Sequence, residues 1–218
     1  MPVSRFHREV AAIALGAAAR YGFALGGGNA LIAHGLIDRP TEDVDLFTNE
    51  DGGVAAGAAA VERALRGAGY DAERRDLAAG LADIFEGMGD GLAEWIVTAP
   101  DGRQTMLQLA YFHRDRRPVT MDLGPVLDLD DVVGSKVCAL AGRAELRDFV
   151  DTAAALGRYT VAELIRLARR LDPGLTDAEF ADAGRRLDRL GDEQFARYGL
   201  GKRDVTRLRK RMAAWPRS

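Results

Sequence analysis

Gly26-Gly27-Gly28-Asn29-Ala30-Leu31, followed by Arg39-Pro40-Thr41-Glu42-Asp43-Val44-Asp45-Leu46-Phe47, places a glycine-rich turn ahead of two carboxylates spaced i, i+2. If Val44 to Phe47 continue a β-strand, the two-residue period points Asp43 and Asp45 to one side and Val44 and Leu46 to an apolar layer on the other. Adjacent anionic side chains repel. They are best tolerated around a divalent cation, and hard oxygen ligands suit Mg²⁺ carrying a nucleotide's phosphates. Residues without Cβ let backbone N–H groups approach a phosphate, and Asn29 to Gly35 reads as a helix whose N-terminus would face that anion. The bland alternative is a tight strand-to-helix turn followed by a solvated Asp-x-Asp. Two aspartates inside an apolar run still require compensation, because Asp is a poor strand former.

Working outward, the coarse pattern gives an alanine-rich helix over Ser4 to Arg20, a strand at Gly22 to Leu25, the Asn29 helix, the Asp43/Asp45 strand and a helix from Val54 to Gly67. Tyr70 to Asp76, Glu94 to Ala99 and Arg103 to Phe112 read as strands, with Pro100-Asp101-Gly102 as a hairpin turn. After Pro118 to Pro125 the pattern is helical to the end, with Asp128, Asp130 and Asp131 where a helix N-terminus favours acid. The fold class is therefore α+β: a mixed sheet with helices over residues 1–124 and a helical bundle over 125–218.

The 218 residues are 47% hydrophobic, enough for one substantial core or two small ones, and the formal net charge of -3 speaks against nucleic-acid binding through overall charge. The one cysteine, Cys138, excludes an internal disulfide, fits a reducing cytosol and reads as a small buried hydrophobe. Arg5, His7 and Arg8 ahead of Val10 to Ala19 outline a signal peptide. Glu9 in the basic region, and the run's alanine and glycine content, favour a helix of the fold. No stretch has the length needed to span a bilayer.

His7, His34 and His113 lack metal-ligand spacing and read as partly exposed polar residues. The P-loop pattern, the third glycine of a dinucleotide fingerprint and a serine-hydrolase elbow are missing from the sequence. Lys202 to Ser218 carries seven cationic side chains against Asp204 alone. With Arg185, Arg186 and Arg189 it reads either as a grip for RNA phosphates or as a solvated terminal helix.

Gly-Gly-x-x-Ala/Leu, then Arg-x-Thr-x-Asp-x-Asp, then Gly134-Ser135-Lys136-Val137-Cys138-Ala139-Leu140 with Arg143 and Arg147-Asp148-Phe149-Val150-Asp151, resembles the AbiEii/MenT group of nucleotidyltransferase toxins over about Gly22 to Leu156. The resemblance implies a polymerase-β-like nucleotidyltransferase domain at 1–124 and a helical domain at 125–218 contributing Lys136 and Asp148 to the site. It also implies a cytoplasmic toxin of a type IV toxin–antitoxin system, with NTP as substrate and Mg²⁺ or Mn²⁺ as cofactor. Its partners would be a cognate antitoxin and a tRNA 3′ end or other RNA acceptor, with no membrane. By position, Gly27 and Gly28 match glycines that hold the triphosphate, Asp43 and Asp45 the metal-binding carboxylates, and Thr41 the Ser/Thr two residues before them. Lys136 matches a lysine that neutralises phosphates, and Asp148 the later catalytic-site aspartate. Arg39 would orient the metal loop or touch a phosphate.

One departure stands out. Related enzymes commonly carry a third carboxylate on a later strand, but here Thr105-Met106-Leu107-Gln108-Leu109 offers Gln108, and a neutral amide cannot take a proton. Either Asp148 serves as the base, or the two-carboxylate site relies on metal and positioning alone. Asp151 reads as a member of a surface network with Arg143 and Arg147. An aminoglycoside-type small-molecule nucleotidyltransferase and a non-catalytic nucleotide- or RNA-binding protein are the alternatives.

Overall fold

A computed structural model describes residues 4–75 and 91–218; Asp76, the last residue of one expected strand, lies outside them. The chain divides into two compact units, Met1–His34 with Pro40–Asp128, and Gly35–Arg39 with Leu129–Ser218.

The first unit opens with α1 (Arg5–Ala18), whose N-cap Ser4 accepts a hydrogen bond from His7 N at 3.1 Å. Val10, Ala11, Ala14, Leu15 and Ala18 line its buried stripe, the spacing a 3.6-residue period requires. There follow β1 (Ala24–Leu25), α2 (Gly27–Ala33), β2 (Asp43–Thr48), α3 (Gly53–Gly67), β3 (Asp71–Arg75), β4 (Leu92–Thr98), β5 (Gln104–Tyr111), β6 (Val119–Met121) and β7 (Gly124–Val126). They form a seven-stranded sheet in the order β3-β4-β5-β2-β1-β7-β6. β2–β5 and β1–β7 are parallel and the other pairs antiparallel, so the sheet is mixed.

β2 sits at the centre, and its alternation is as the sequence requires: Val44 and Leu46 are fully buried, while Asp43, Asp45 and Phe47 are half-buried. Register continues the apolar layer across the sheet. Val44 faces Leu107, which faces Trp95; Leu46 faces Leu109, which faces Ala93. α1 and α3 pack together; α1 contacts β2, and α3 contacts β3, β4 and β5. Each large side chain so buried contributes about 1.5–3 kcal/mol. A one-residue slip of β2 would exchange that layer for two carboxylates, so the register is strongly specified.

The structure differs from expectation in three places. α2 begins at Gly27, two residues earlier than expected, with Ala30 N bonded to Gly26 O at 3.0 Å. β1 is reduced to Ala24–Leu25. The stretch expected to lead straight into helix forms the β6–β7 hairpin, whose Val126 pairs in parallel with Leu25. Three-residue strands containing Pro125 and Gly124 are too short to display alternation.

The second unit is helical: α4 (Leu129–Gly142), α5 (Leu146–Ala155), α6 (Val161–Leu171), α7 (Asp177–Arg189) and α8 (Lys202–Arg211), with 3-10 turns at Asp192–Tyr198 and Met212–Ala214. Asp130 and Asp131 occupy the first turn of α4, and Thr160 with Glu163 and Thr176 with Glu179 form capping boxes. Phe149, Phe180, Phe195 and Trp215 are its largest buried side chains, and Trp215 Nε1 donates to Phe180 O at 2.9 Å. Among the described residues no helix is long and apolar enough to cross a membrane.

Candidate active site

The turn from β1 to α2 and the middle of β2 are built against each other. Gly26 N donates to Asp45 O at 2.8 Å. Gly27 adopts φ +57°, and a Cβ there would fall 1.7 Å from Asp45 Oδ2; a Cβ at Gly26 would fall 2.2 Å from Phe47 Cδ2. Glycine suits both positions: the left-handed backbone at 27 and the Phe47 ring at 26 each disfavour a side chain, and one at 27 would also displace the Asp45 carboxylate. The Asp45 carboxylate occupies the space that a side chain at Gly27 would fill.

Asn29, a residue that no motif singles out, fixes the start of the same strand. It is fully buried; its Nδ2 donates to Asp43 O at 2.7 Å, and its Oδ1 accepts from Thr41 Oγ1 at 2.8 Å. Thr41 therefore orients the amide that holds the Asp43 peptide. A side-chain amide placed three residues after the first glycine is the one signal of this role in the sequence. Gly28 is buried in the first turn of α2, and His34 at its C-cap places a ring nitrogen 2.8 Å from Leu127 O. His7 is buried rather than partly exposed. Its desolvation holds the imidazole below its ordinary pKa, opposed by the negative charge of Asp43.

Gln108 is the register partner of Asp45 on β5 and shares its face. Its Nε2 donates at 2.6 Å to Oε1 of Glu94, its partner on β4, which is 7% exposed. A carboxylate does stand in this row of the sheet, one strand beyond the expected position.

In the helical unit, Asp151 is buried and is not part of a surface network. Arg39 Nε and Nη2 donate to its two oxygens at 2.9 and 2.8 Å, and Lys136 Nζ lies 3.2 Å from Oδ2. Asp148, equally buried, accepts from Arg143 Nε and Nη2 at 3.0 Å each and from Glu145 N at 3.0 Å, at position N3 of α5. The structure joins Lys136 to Asp151 and Asp148 to Arg143. Cys138 is half-buried with Sγ 3.4 Å from Ala168 O, and burial pushes its thiol up to about 12, which makes it inert.

Several arginines of the basic C-terminal stretch brace the fold. Arg209 donates to Leu187 O and Asp192, Arg211 to Ala153 O, and Arg217 to Met212 O and Asp188. Lys202, Arg203 and Lys210 are exposed.

The family profile described as the nucleotidyl transferase AbiEii toxin of type IV toxin–antitoxin systems matches residues 14–214. The chain belongs to the AbiEii nucleotidyltransferase toxin family. As an AbiEii-family protein it is a nucleotidyltransferase and a toxin of the type IV class, for which a cognate antitoxin is implied. Its fold is that of JHP933 from Helicobacter pylori (14% identity, TM-score 0.60, covering 97% of this chain and 92% of that one). It is also that of MenT4, a nucleotidyltransferase toxin from Mycobacterium tuberculosis (14% identity, TM-score 0.60, 95% and 82% covered). No curated protein sequence matches this AbiEii-family chain.

No group of three or more His, Cys, Asp or Glu side chains gathers as a metal site among the described residues. The donor set nonetheless fits Mg²⁺, which uses one or two carboxylates and takes its remaining ligands from substrate phosphates and water. Asp43 and Asp45, hard oxygen donors on one half-buried face of a central strand, are such a pair.

Proposed function

We propose that this AbiEii-family enzyme is a metal-dependent toxin that transfers nucleotides from an NTP to an RNA acceptor, the 3′ end of tRNA, and so blocks translation in the cytoplasm. One observation carries the reading: Asp43 and Asp45 share a face of β2, with the Asp45 carboxylate set against the backbone of Gly27. Nucleotidyl transfer is an in-line displacement at the α-phosphate with pyrophosphate leaving, so the protein mainly holds charge and geometry. A divalent cation held by Asp43 and Asp45 would polarise the phosphate and lower the pKa of the attacking hydroxyl. In this reading Gly27 and Gly28 bring backbone N–H groups to the triphosphate, and Asn29 with Thr41 holds the strand that carries the acids. Lys136, already beside the buried Asp151 with Arg39, supplies a point charge for phosphate, and Asp148 stands as the later aspartate of the motif. Asp43, Asp45, Lys136 and Asp148 are the residues assigned to catalysis.

The test is incubation of the purified chain with total RNA, Mg²⁺ and each α-labelled NTP in turn, alongside Asp45→Asn. Label should enter the tRNA fraction with the native chain and not with the variant. Label that enters an aminoglycoside and no RNA would replace the RNA acceptor with a small molecule; label that enters neither would overturn the reading.

A further inference from the structure

Across the centre of the sheet, Asp45 on β2, Gln108 on β5 and Glu94 on β4 are successive register partners, so their side chains emerge on one face in a single row. Gln108 is half-buried between an acid on each side, and Glu94 is 7% exposed. The 2.6 Å bond from Gln108 Nε2 to Glu94 Oε1 settles which way the amide faces. An ionised carboxylate only accepts hydrogen bonds, so the NH₂ end must point to Glu94. The carbonyl oxygen is then turned away from β4, and the neighbour on the other side of Gln108 is β2 with Asp45.

We infer that Gln108 presents its side-chain carbonyl as a third, neutral oxygen donor for the divalent cation of the Asp43/Asp45 pair, and that Glu94 is the positioning residue that locks that orientation. The inference rests on the proposed metal-dependent reading. It also accounts for the departure at position 108. A third carboxylate placed directly beside Asp45 would add like charge to a strand that already carries two acids. An amide supplies an oxygen without that repulsion, and the negative charge stands one strand further out, where it holds the amide and still adds to the local field. Partners of this outer kind orient metal ligands in proteins generally, and their loss costs roughly 10- to 100-fold in affinity.

The test measures Mn²⁺ affinity by electron paramagnetic resonance, with a non-hydrolysable NTP analogue present, for the native chain and for Gln108→Leu, Glu94→Gln, Gln108→Glu and Asp45→Asn. Gln108→Leu keeps the shape and removes the oxygen, and should weaken Mn²⁺ by at least about tenfold. Glu94→Gln frees the amide to flip and should weaken it by roughly tenfold, while nucleotide affinity in the absence of metal stays native. Gln108→Glu returns an oxygen donor but sets a second carboxylate against Glu94, so it should bind more tightly than Gln108→Leu, which separates loss of the donor from misfolding of the leucine variant. Asp45→Asn should abolish binding. Native Mn²⁺ affinity in both Gln108→Leu and Glu94→Gln, with Asp45→Asn defective, would reduce the pair to a structural hydrogen bond and leave the proposed function standing. Native affinity in Asp45→Asn would overturn the metal reading and this inference together.

Discussion

Gly27→Ala tests the close packing of the glycine turn on Asp45. The substitution carries two separable costs. A non-glycine residue at φ +57° pays about 1–2 kcal/mol for left-handed backbone. In a chain of this size that lowers Tm by roughly 2–8 °C. The second cost is local: the new Cβ would lie 1.7 Å from Asp45 Oδ2 and 2.6 Å from its Cγ, so the carboxylate must swing away or the turn must move. A displacement of about 1 Å in a positioned catalytic group costs on the order of 100-fold in rate. Gly52→Ala isolates the first cost, because Gly52 has φ +71° and a methyl group there would meet no atom within 4 Å. Both variants are to be compared by thermal melting and by incorporation of labelled nucleotide into RNA. Similar losses of Tm are expected, with nucleotide transfer reduced at least about 100-fold in Gly27→Ala and near native in Gly52→Ala. Native activity in Gly27→Ala would refute the argument that this turn holds Asp45 in its working position.

Asp151→Ala leaves Arg39 and Lys136 without their shared carboxylate in a site where those side chains are only 11% and 14% exposed. It should cost about 3–5 kcal/mol by chemical denaturation, and a loss under about 1 kcal/mol would contradict a buried ion-pair network. His7 has its folded pKa held below 6.5, so the unfolded chain takes up the proton first as pH falls. Its contribution to stability is present above pH 6.5 and lost below it. Melting temperatures from pH 7.5 to 5 should fall less steeply in His7→Gln, and identical slopes would exclude His7 as a source of acid sensitivity. In the C-terminal helix, Arg209→Ala should lower Tm by removing its bonds to Leu187 O and Asp192. Lys210→Ala should leave Tm unchanged and reduce the salt dependence of RNA affinity by about one phosphate contact. The opposite pattern in filter-binding and melting measurements would reverse the two assignments.

What can be read from sequence alone is what local periodicity encodes. Asp43-Val44-Asp45-Leu46 alternates cleanly, so the sharing of a face by the two acids is legible in the pattern itself. The β4–β5 hairpin is legible from Pro100-Asp101-Gly102, where Gly102 N bonds to Ala99 O at 2.9 Å. The start of α2 is not, because glycines are poor helix formers, and packing against Asp45 and Phe47 overrides that preference. Partnerships across long separations are invisible. Arg39 and Asp151 are 112 residues apart, so a sequence pattern can show their charge and not their meeting. Glu94 and Gln108 become neighbours only once the β4–β5 register is known. Asp148 and Asp151 share a helix face at i, i+3, yet one closes a helix N-terminus with Glu145 N while the other is shared by two cations.

The position of the acid pair is therefore fixed by restraints that have nothing to do with anions. Val44 and Leu46 pack at zero exposure between Leu107, Leu109 and the β1 strand, which determines the register of β2 from both neighbours. Asn29, held by Thr41, fixes the Asp43 carbonyl at the strand's first residue, and the Gly26 N–H fixes the Asp45 carbonyl two residues later. With both carbonyls tied, the two carboxylates have little freedom beyond their own χ angles. Moving the backbone to separate the two acids is blocked by the same ties. If the acids hold a cation, as proposed, the rigid packing beneath them is part of what would set the positions of its ligands.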